Sequence, residues 1–258
     1  GLQDALTDPP DGVADELDAL GLVELVRRPD QSEVALVDQV REGDPLVLVL
    51  LGHGNDKTQV APHQLVERFL VAVPDEAREV DFVFCAVDMT KEETAKLEED
   101  YARAETPVVS NNSAHRGTSD VPMMVPEINP EHAQVIERQR QRLGVKRGFI
   151  AVKPNCSLQS YVPAIHPLMK FGPKRIAVCT YQAISGAGKT FETWPEMVDN
   201  LIPFIKGEEE KSEKEPMKIW GRIEGGGIVA AREPVISAQC IRVPASDGHM
   251  AAVFVQFE

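Results

Sequence analysis

The sequence predicts an α/β protein: a parallel-sheet region first, then an α+β region built on a mixed sheet. Two observations carry this. Between residues 80 and 110 a strand-like run, a charged amphipathic helix and a second short strand ending in a polar loop follow one another. That is the pattern of a parallel sheet with ligand-bearing loops at its C-terminal strand ends. From residue 148 onward, short apolar runs alternate with glycine-rich turns, several without a helix between them, which points to a mixed or antiparallel sheet.

The elements follow in order. Residues 1 to about 70 are acidic and hold one aromatic, Phe69; Ala14–Val26 and Pro62–Val71 have weak helical spacing, and Leu46–Leu51 is a buried-strand pattern. Val80–Val87 is a strand. Lys91–Ala104 is an amphipathic helix with Thr90 as its cap and glutamates in its first turn. Thr106–Ser110 is a strand that ends in the polar loop Asn111–Arg116, and Asn129–Leu143 is a helix. Gly148–Val152, Ile176–Thr180, Ile228–Ala231, Val235–Val243 and Met250–Phe257 are strands. Lys206–Lys218 is a charge run, most simply a solvated segment.

Composition narrows the function. A chain of 258 residues has room for one large domain or two modest ones. A net charge of -14 argues against nucleic acid as a partner, although a local cluster of Arg and Lys still suits a small anion. No apolar run approaches the roughly 20 residues that span a bilayer, and the acidic N-terminal stretch is not a signal peptide. Cys85, Cys156, Cys179 and Cys240 are widely spaced and form no CxxC pair, so neither a disulfide framework nor a metal site is expected, and a reducing cytoplasm is.

The chemistry concentrates in the second half. Pro154-Asn155-Cys156-Ser157 follows the strand Gly148–Val152 and puts a cysteine at the start of a helix. Unpaired N–H groups and the positive end of the dipole bias a thiol there toward the thiolate, the form that attacks carbonyl carbon. Ser185-Gly186-Ala187-Gly188, after a strand, lets a ligand approach the backbone. Arg242 and His249 lie seven residues apart around a Gly turn; the first can grip a carboxylate and the second can move a proton near neutral pH. Glu208 and Lys211, three apart, share one face if the segment is helical.

Pro-Asn-Cys-Ser, Tyr181-Gln-Ala-Ile-Ser-Gly-Ala-Gly188, Gly207-Glu-Glu-Glu-Lys211 and Arg242-Val-Pro-Ala-Ser-Asp-Gly-His249 occur in that order, after Ser110–Arg116 and Asp120-Val-Pro-Met-Met-Val-Pro-Glu127. Together, over about residues 75–258, they resemble the aspartate-semialdehyde dehydrogenase family in its archaeal and fungal branch. The resemblance implies reductive dephosphorylation of 4-phospho-L-aspartate with NADP, within lysine, methionine and threonine biosynthesis. It implies Cys156 as nucleophile, His249 as acid/base and Gln182 as the residue that orients the substrate. Arg242 and Glu208 would bind the substrate carboxylate and ammonium, Arg116 and Lys211 the phosphate, and Ser185, Gly186 and Gly188 the cofactor. The Asn155 side chain and the Cys156 N–H are candidate oxyanion donors. It also implies a homodimer or homotetramer.

On this reading residues 75–150 are the remainder of an incomplete Rossmann-like nucleotide domain, and 151–258 are a truncated catalytic and dimerisation domain. Residues 1–74 stand where the family has its Gly-rich first half. Leu51-Gly-His-Gly54 is a poor substitute for that phosphate-binding turn, as a frame disruption, fusion or gene-model error would produce, so weak NADP binding and slow turnover are expected. Lys153 stands where many relatives have Asn, and is expected to point to solvent. Two alternatives remain: a sibling reductase acting on another acyl donor such as malonyl-CoA, and a non-catalytic fragment keeping only the dimerising sheet.

Overall fold

The computed structural model describes residues 34–36, 47–51 and 80–257. The helices expected over Ala14–Val26 and Pro62–Val71 lie outside the described residues.

The first sheet has five strands in sequence order. β1 (Val34–Leu36) pairs antiparallel with β2 (Val47–Leu51), which begins a parallel run through β3 (Phe82–Ala86), β4 (Val108–Ser110) and β5 (Ile150–Val152). Helix α1 (Lys91–Arg103) makes the crossover from β3 to β4 and buries Leu97, Tyr101 and Ala102. Its start follows the sequence closely: the Thr90 hydroxyl accepts from Glu93 N–H at 3.2 Å, and the Glu93 carboxylate accepts from Thr90 N–H at 3.0 Å. Gly148 leads into β5 because a Cβ there would overlap the Ala102 carbonyl.

Two expected helices have a different form. Asn129–Leu143 divides into a 3-10 turn, Pro130–Val135, and α2 (Ile136–Leu143). Asn129 and His132 tie the tight turn down: the Asn129 amide donates to Met123 O at 2.9 Å, and the His132 ring reaches Gly221 O at 3.2 Å. The cysteine turn also begins as a 3-10 segment, Cys156–Ser160, before the single α-turn α3 (Val162–Ile165). An unbroken α-helix would need Pro163 to donate to residue 159, and proline has no N–H.

The second sheet is mixed, in the order β10-β6-β9. β6 (Arg175–Gln182) and β9 (Val235–Arg242) are parallel, and their register sets Gln182 opposite Arg242. β10 (Met250–Gln256) is antiparallel to β6, with Met250 opposite Tyr181. A hairpin, β7 (Arg222–Glu224) and β8 (Gly227–Val229), lies apart.

The charge run Lys206–Lys218 is not a solvated segment. It forms α4 (Glu208–Ile219), which packs along β9 and buries Glu208, Ser212, Glu215 and Lys218. Its Glu209 and Glu213 carboxylates accept the N–H groups of Cys240 at 3.1 Å and Ala238 at 3.2 Å, covering part of the β9 edge. One apolar core spans both sheets: Val83, Val108 and Ile150 from the first join Ile176, Val178 and Ile236 from the second through Leu158 and Tyr161. That continuity fixes the cysteine turn between the sheets.

Candidate active site

Strand geometry assembles the site. The parallel strands β6 and β9 end together at Gln182 and Arg242, and His249 immediately precedes the antiparallel strand that pairs with β6, so the three side chains come from one end of the mixed sheet. The parallel sheet delivers Asn111–Arg116 after β4 and Cys156 after β5. Helix α4 starts beside them at Gly207, whose φ of 80° suits glycine, with Glu208 in its first turn. Asn111, Arg116, Cys156, Gln182, Glu208 and Arg242 line one cleft of about 480 Å³, and His249 reaches it through its contact with Cys156.

Cys156 is exposed to the cleft, and its Sγ lies 3.2 Å from Nε2 of His249. The other ring nitrogen settles the tautomer. Ala183 N–H donates to His249 Nδ1 at 3.1 Å, so Nδ1 is an acceptor and the neutral ring carries its proton on Nε2, toward the sulfur. Burial first, then Arg242, hold the imidazole below its ordinary pKa against an opposing pull from Glu208, with a smaller lowering by Lys153. The ring is therefore a neutral hydrogen-bond donor to Cys156. Gly186 backs the ring: a Cβ there would sit 2.6 Å from Cε1 of His249 and 3.0 Å from Nη1 of Arg242.

Glu208 is the hub beneath the cysteine turn. Its carboxylate accepts from Lys211 Nζ at 2.7 Å, from Asn155 Nδ2 at 3.0 Å and from Gln182 Nε2 at 3.2 Å. Burial alone would raise its pKa; Lys211, Gln182 and Asn155 outweigh that and hold the carboxyl below the usual range, so it is ionised at neutral pH. Asn155 is committed on both sides, since its Oδ1 accepts from Ser157 N–H at 2.9 Å and Ser157 Oγ at 2.7 Å. Its side chain is thus a clamp on the turn, with the amide nitrogen on Glu208. Arg242 donates to Ala183 O at 2.6 Å and lines the cleft. Arg116 donates to Glu215 at 3.1 Å and to Asn111 O at 3.0 Å, while its buried Nε has no partner.

Of the residues expected at a cofactor, Ser185 and Gly186 line the cleft; Gly188 does not, and instead closes the Ile184–Ala187 turn with φ 63°. Lys153 lines the cleft and is only partly exposed, which corrects the expectation that it points to solvent. Glu215 escaped the sequence reading altogether. Its signal was the spacing Glu208, Lys211, Glu215, Lys218, one helical stripe of alternating charge. Among the described residues, no group of three or more His, Cys, Asp or Glu could hold a metal.

The α/β fold thus sets a thiol against an imidazole where a parallel sheet meets a mixed one. Two family models match the chain: "Semialdehyde dehydrogenase, NAD binding domain" over residues 49–136, and "Semialdehyde dehydrogenase, dimerisation domain" over residues 165–258. The first match takes in residues 49–74, the end of a segment expected to fall outside the family, and so includes part of β2. The aspartate-semialdehyde dehydrogenase of Archaeoglobus fulgidus is 43% identical over 182 residues, 70% of this chain and 51% of that protein. That of Aspergillus fumigatus is 36% identical over 188 residues, 71% of this chain and 51% of that protein. A crystal structure of the Candida albicans enzyme with NADP superposes with a TM-score of 0.60 at 34% identity, covering 69% of this chain and 51% of that one. The Vibrio cholerae aspartate semialdehyde dehydrogenase II complexed with ASA gives 0.54 at 28% identity, covering 69% of this chain and 56% of that one. The chain belongs to the semialdehyde dehydrogenase family, on its aspartate-semialdehyde dehydrogenase branch, and spans about half the length of the curated relatives it matches.

Proposed function

We propose that this chain carries the catalytic centre of an NADP-dependent aspartate-semialdehyde dehydrogenase, which converts 4-phospho-L-aspartate to L-aspartate 4-semialdehyde and phosphate. The observation that carries the reading is the 3.2 Å Cys156–His249 contact in a cleft that also holds Arg116, Lys211 and Arg242. Two cationic subsites suit a substrate with a carboxylate at one end and a phosphate at the other. Glu208 favours an amino acid over a malonyl-CoA-type donor, because an ionised buried carboxylate asks for an ammonium, and Lys211 supplies one in the free state. Arg242 and Glu208 then hold the amino-acid end, and Arg116 holds the phosphate with Lys211, both lining the cleft.

The Cys156 thiolate attacks the 4-acyl carbon, the bond to the phosphate oxygen breaks, and the phosphate departs with the one proton the overall reaction consumes. Ser185, Gly186 and the ends of β3 and β4 at Ala86, Val87 and Asn111 line the same cleft and fit the nicotinamide end of the cofactor. When bound there, NADPH supplies the hydride. Reduction of the thioester leaves an alkoxide on the former carbonyl oxygen, and the Cys156 N–H and the His249 Nε2–H are the donors we assign to it. Collapse of that alkoxide re-forms the C=O bond and returns the thiolate. His249 thus serves by donating hydrogen bonds, first to sulfur and then to oxygen. We place the protein in the cytoplasm, in keeping with its four free cysteines; among the described residues no helix is long and apolar enough to cross a membrane.

The outer face of the mixed sheet exposes Val235, Met250 and Phe254, and we assign it to a homodimer contact. A chain that sediments as a monomer at tens of micromolar overturns that assignment. The chemistry is tested in the reverse direction, by following NADPH formation from aspartate semialdehyde, phosphate and NADP. Phosphate-dependent formation that falls at least about 10³-fold in Cys156→Ser is expected; equal rates for the two chains would refute the role of Cys156.

A further inference from the structure

We propose that Glu215 is a positioning residue that aims Arg116 at the anion subsite and ties that subsite to the nucleophile turn. The proposal rests on the anion-site reading of Arg116 given above and extends it to a residue with no assigned role.

Glu215 lies on α4 two turns past Glu208, on the same face. Its carboxylate is divided between two pieces of the cleft. Oε1 accepts from Arg116 Nη1 at 3.1 Å, and Oε2 accepts from the backbone N–H of Asn155 at 2.7 Å. Both side chains of the ion pair are nearly buried, at 10% and 9% exposure, so neither is free to sample other arrangements. Asn155 immediately precedes Cys156 and is held at its other end by Glu208. The helix therefore grips the cysteine turn with two carboxylates, one on the Asn155 side chain and one on its backbone.

The next residue on the stripe secures Arg116 from behind. Lys218 Nζ donates to the carbonyls of Arg116 at 2.8 Å, Thr118 at 2.7 Å and Val121 at 2.8 Å. Lys218 thus pins the loop backbone, and Glu215 pins the guanidinium that the loop carries. With Nη1 on Glu215 and Nη2 on Asn111 O, the plane of the Arg116 fork is set where the side chain lines the cleft. The oxygen that orients Arg116 belongs to the same carboxylate that holds the residue before the nucleophile. Glu215 therefore sets the spacing between the anion subsite and the attacking sulfur.

Two roles for Glu215 predict opposite signs. A mere like charge near the anion would weaken phosphate binding, so neutralising it would tighten binding. A positioning group would, when neutralised, release Arg116 and weaken binding. The full chain is alkylated at Cys156 with iodoacetamide across a phosphate series, and the phosphate concentration giving half-protection is read for wild type and Glu215→Gln. We expect that midpoint to rise about tenfold in the variant, the cost of misaiming one charge-assisted pair. In an Arg116→Lys background, which has no fork to aim, the further shift from Glu215→Gln should be under about twofold. An unchanged or lowered midpoint in a folded Glu215→Gln chain, or a full shift persisting in the Arg116→Lys background, overturns the proposal. If Glu215→Gln does not fold, as its thermal midpoint would report, Glu215→Asp replaces it; that keeps the charge on a stem too short to reach both partners, and a rise is again required. Wild type left unprotected by phosphate would sink the anion-site reading and this proposal with it, whereas protected wild type matched by the variant sinks the Glu215 role alone.

Discussion

Two clusters in this molecule are built from nearly the same parts and do opposite things. Behind the parallel sheet, Cys85, Glu98, Ser110 and His115 lie together; at the cleft, Cys156, Glu208 and Asn155 do, with His249 against Cys156. Glu98 accepts a hydrogen bond from Ser110 Oγ at 2.5 Å, but its second oxygen is buried without a hydrogen bond, and the His115 ring is 3.8 Å away. Burial pushes its carboxyl up, against weaker lowering by Ser110 and His115. Glu208 is also buried, yet three donors, one of them an ammonium, hold it ionised. A buried carboxylate is thus made a structural group or an anionic one by the donors around it, not by depth.

The thiols diverge in the same way. Burial first, and then Glu98, push the Cys85 thiol far up, and its side chain has no path to solvent. Cys156 opens onto the cleft with an imidazole N–H directed at it. Timed iodoacetamide labelling with peptide mapping should therefore modify Cys156 on the order of 10³-fold faster than Cys85. Comparable rates would erase the comparison, because they would mean that the core around β3 opens as readily as the cleft.

The legible part of the site was the part that lies in contiguous motifs. Cys156, Gln182, Glu208, Arg242 and His249 each sit in a short ordered run, and the strand register then had only to bring the run ends together. The capped helix α1 was equally plain, since its box is four residues long and local. What stayed hidden depends on partners distant in sequence. Glu215 looks like one more charge in a solvated run, because Asn155 lies 60 residues away and Arg116 lies 99 away. The clamp made by Asn155 stayed hidden for the same reason, since Glu208 lies 53 residues away. The break in the helix after the cysteine turn was foreseeable from Pro163, which has no N–H to donate.

A smaller effect sharpens the contrast between the clusters at its most chemical point, the charge on His249. If the cleft worked through a thiolate–imidazolium pair, the ring would need a proton on both nitrogens. The Ala183 N–H already directed at Nδ1 would then face another N–H. The lowered pKa of the ring has the same sense: burial, Arg242 and Lys153 all disfavour its cation. Titration of the His249 Hε1 resonance by NMR should therefore give a midpoint below the ordinary value of about 6.5. Lys153→Ala removes one cationic contribution and leaves burial and Arg242, so its midpoint should move upward, by less than about half a unit at physiological salt. A wild-type midpoint above 6.5 would reverse the argument, since the ring would then be stabilised as a cation and the sulfur would face an imidazolium after all. A midpoint unmoved by Lys153→Ala would leave the neutral ring intact and return Lys153 to the solvent role its sequence position suggested.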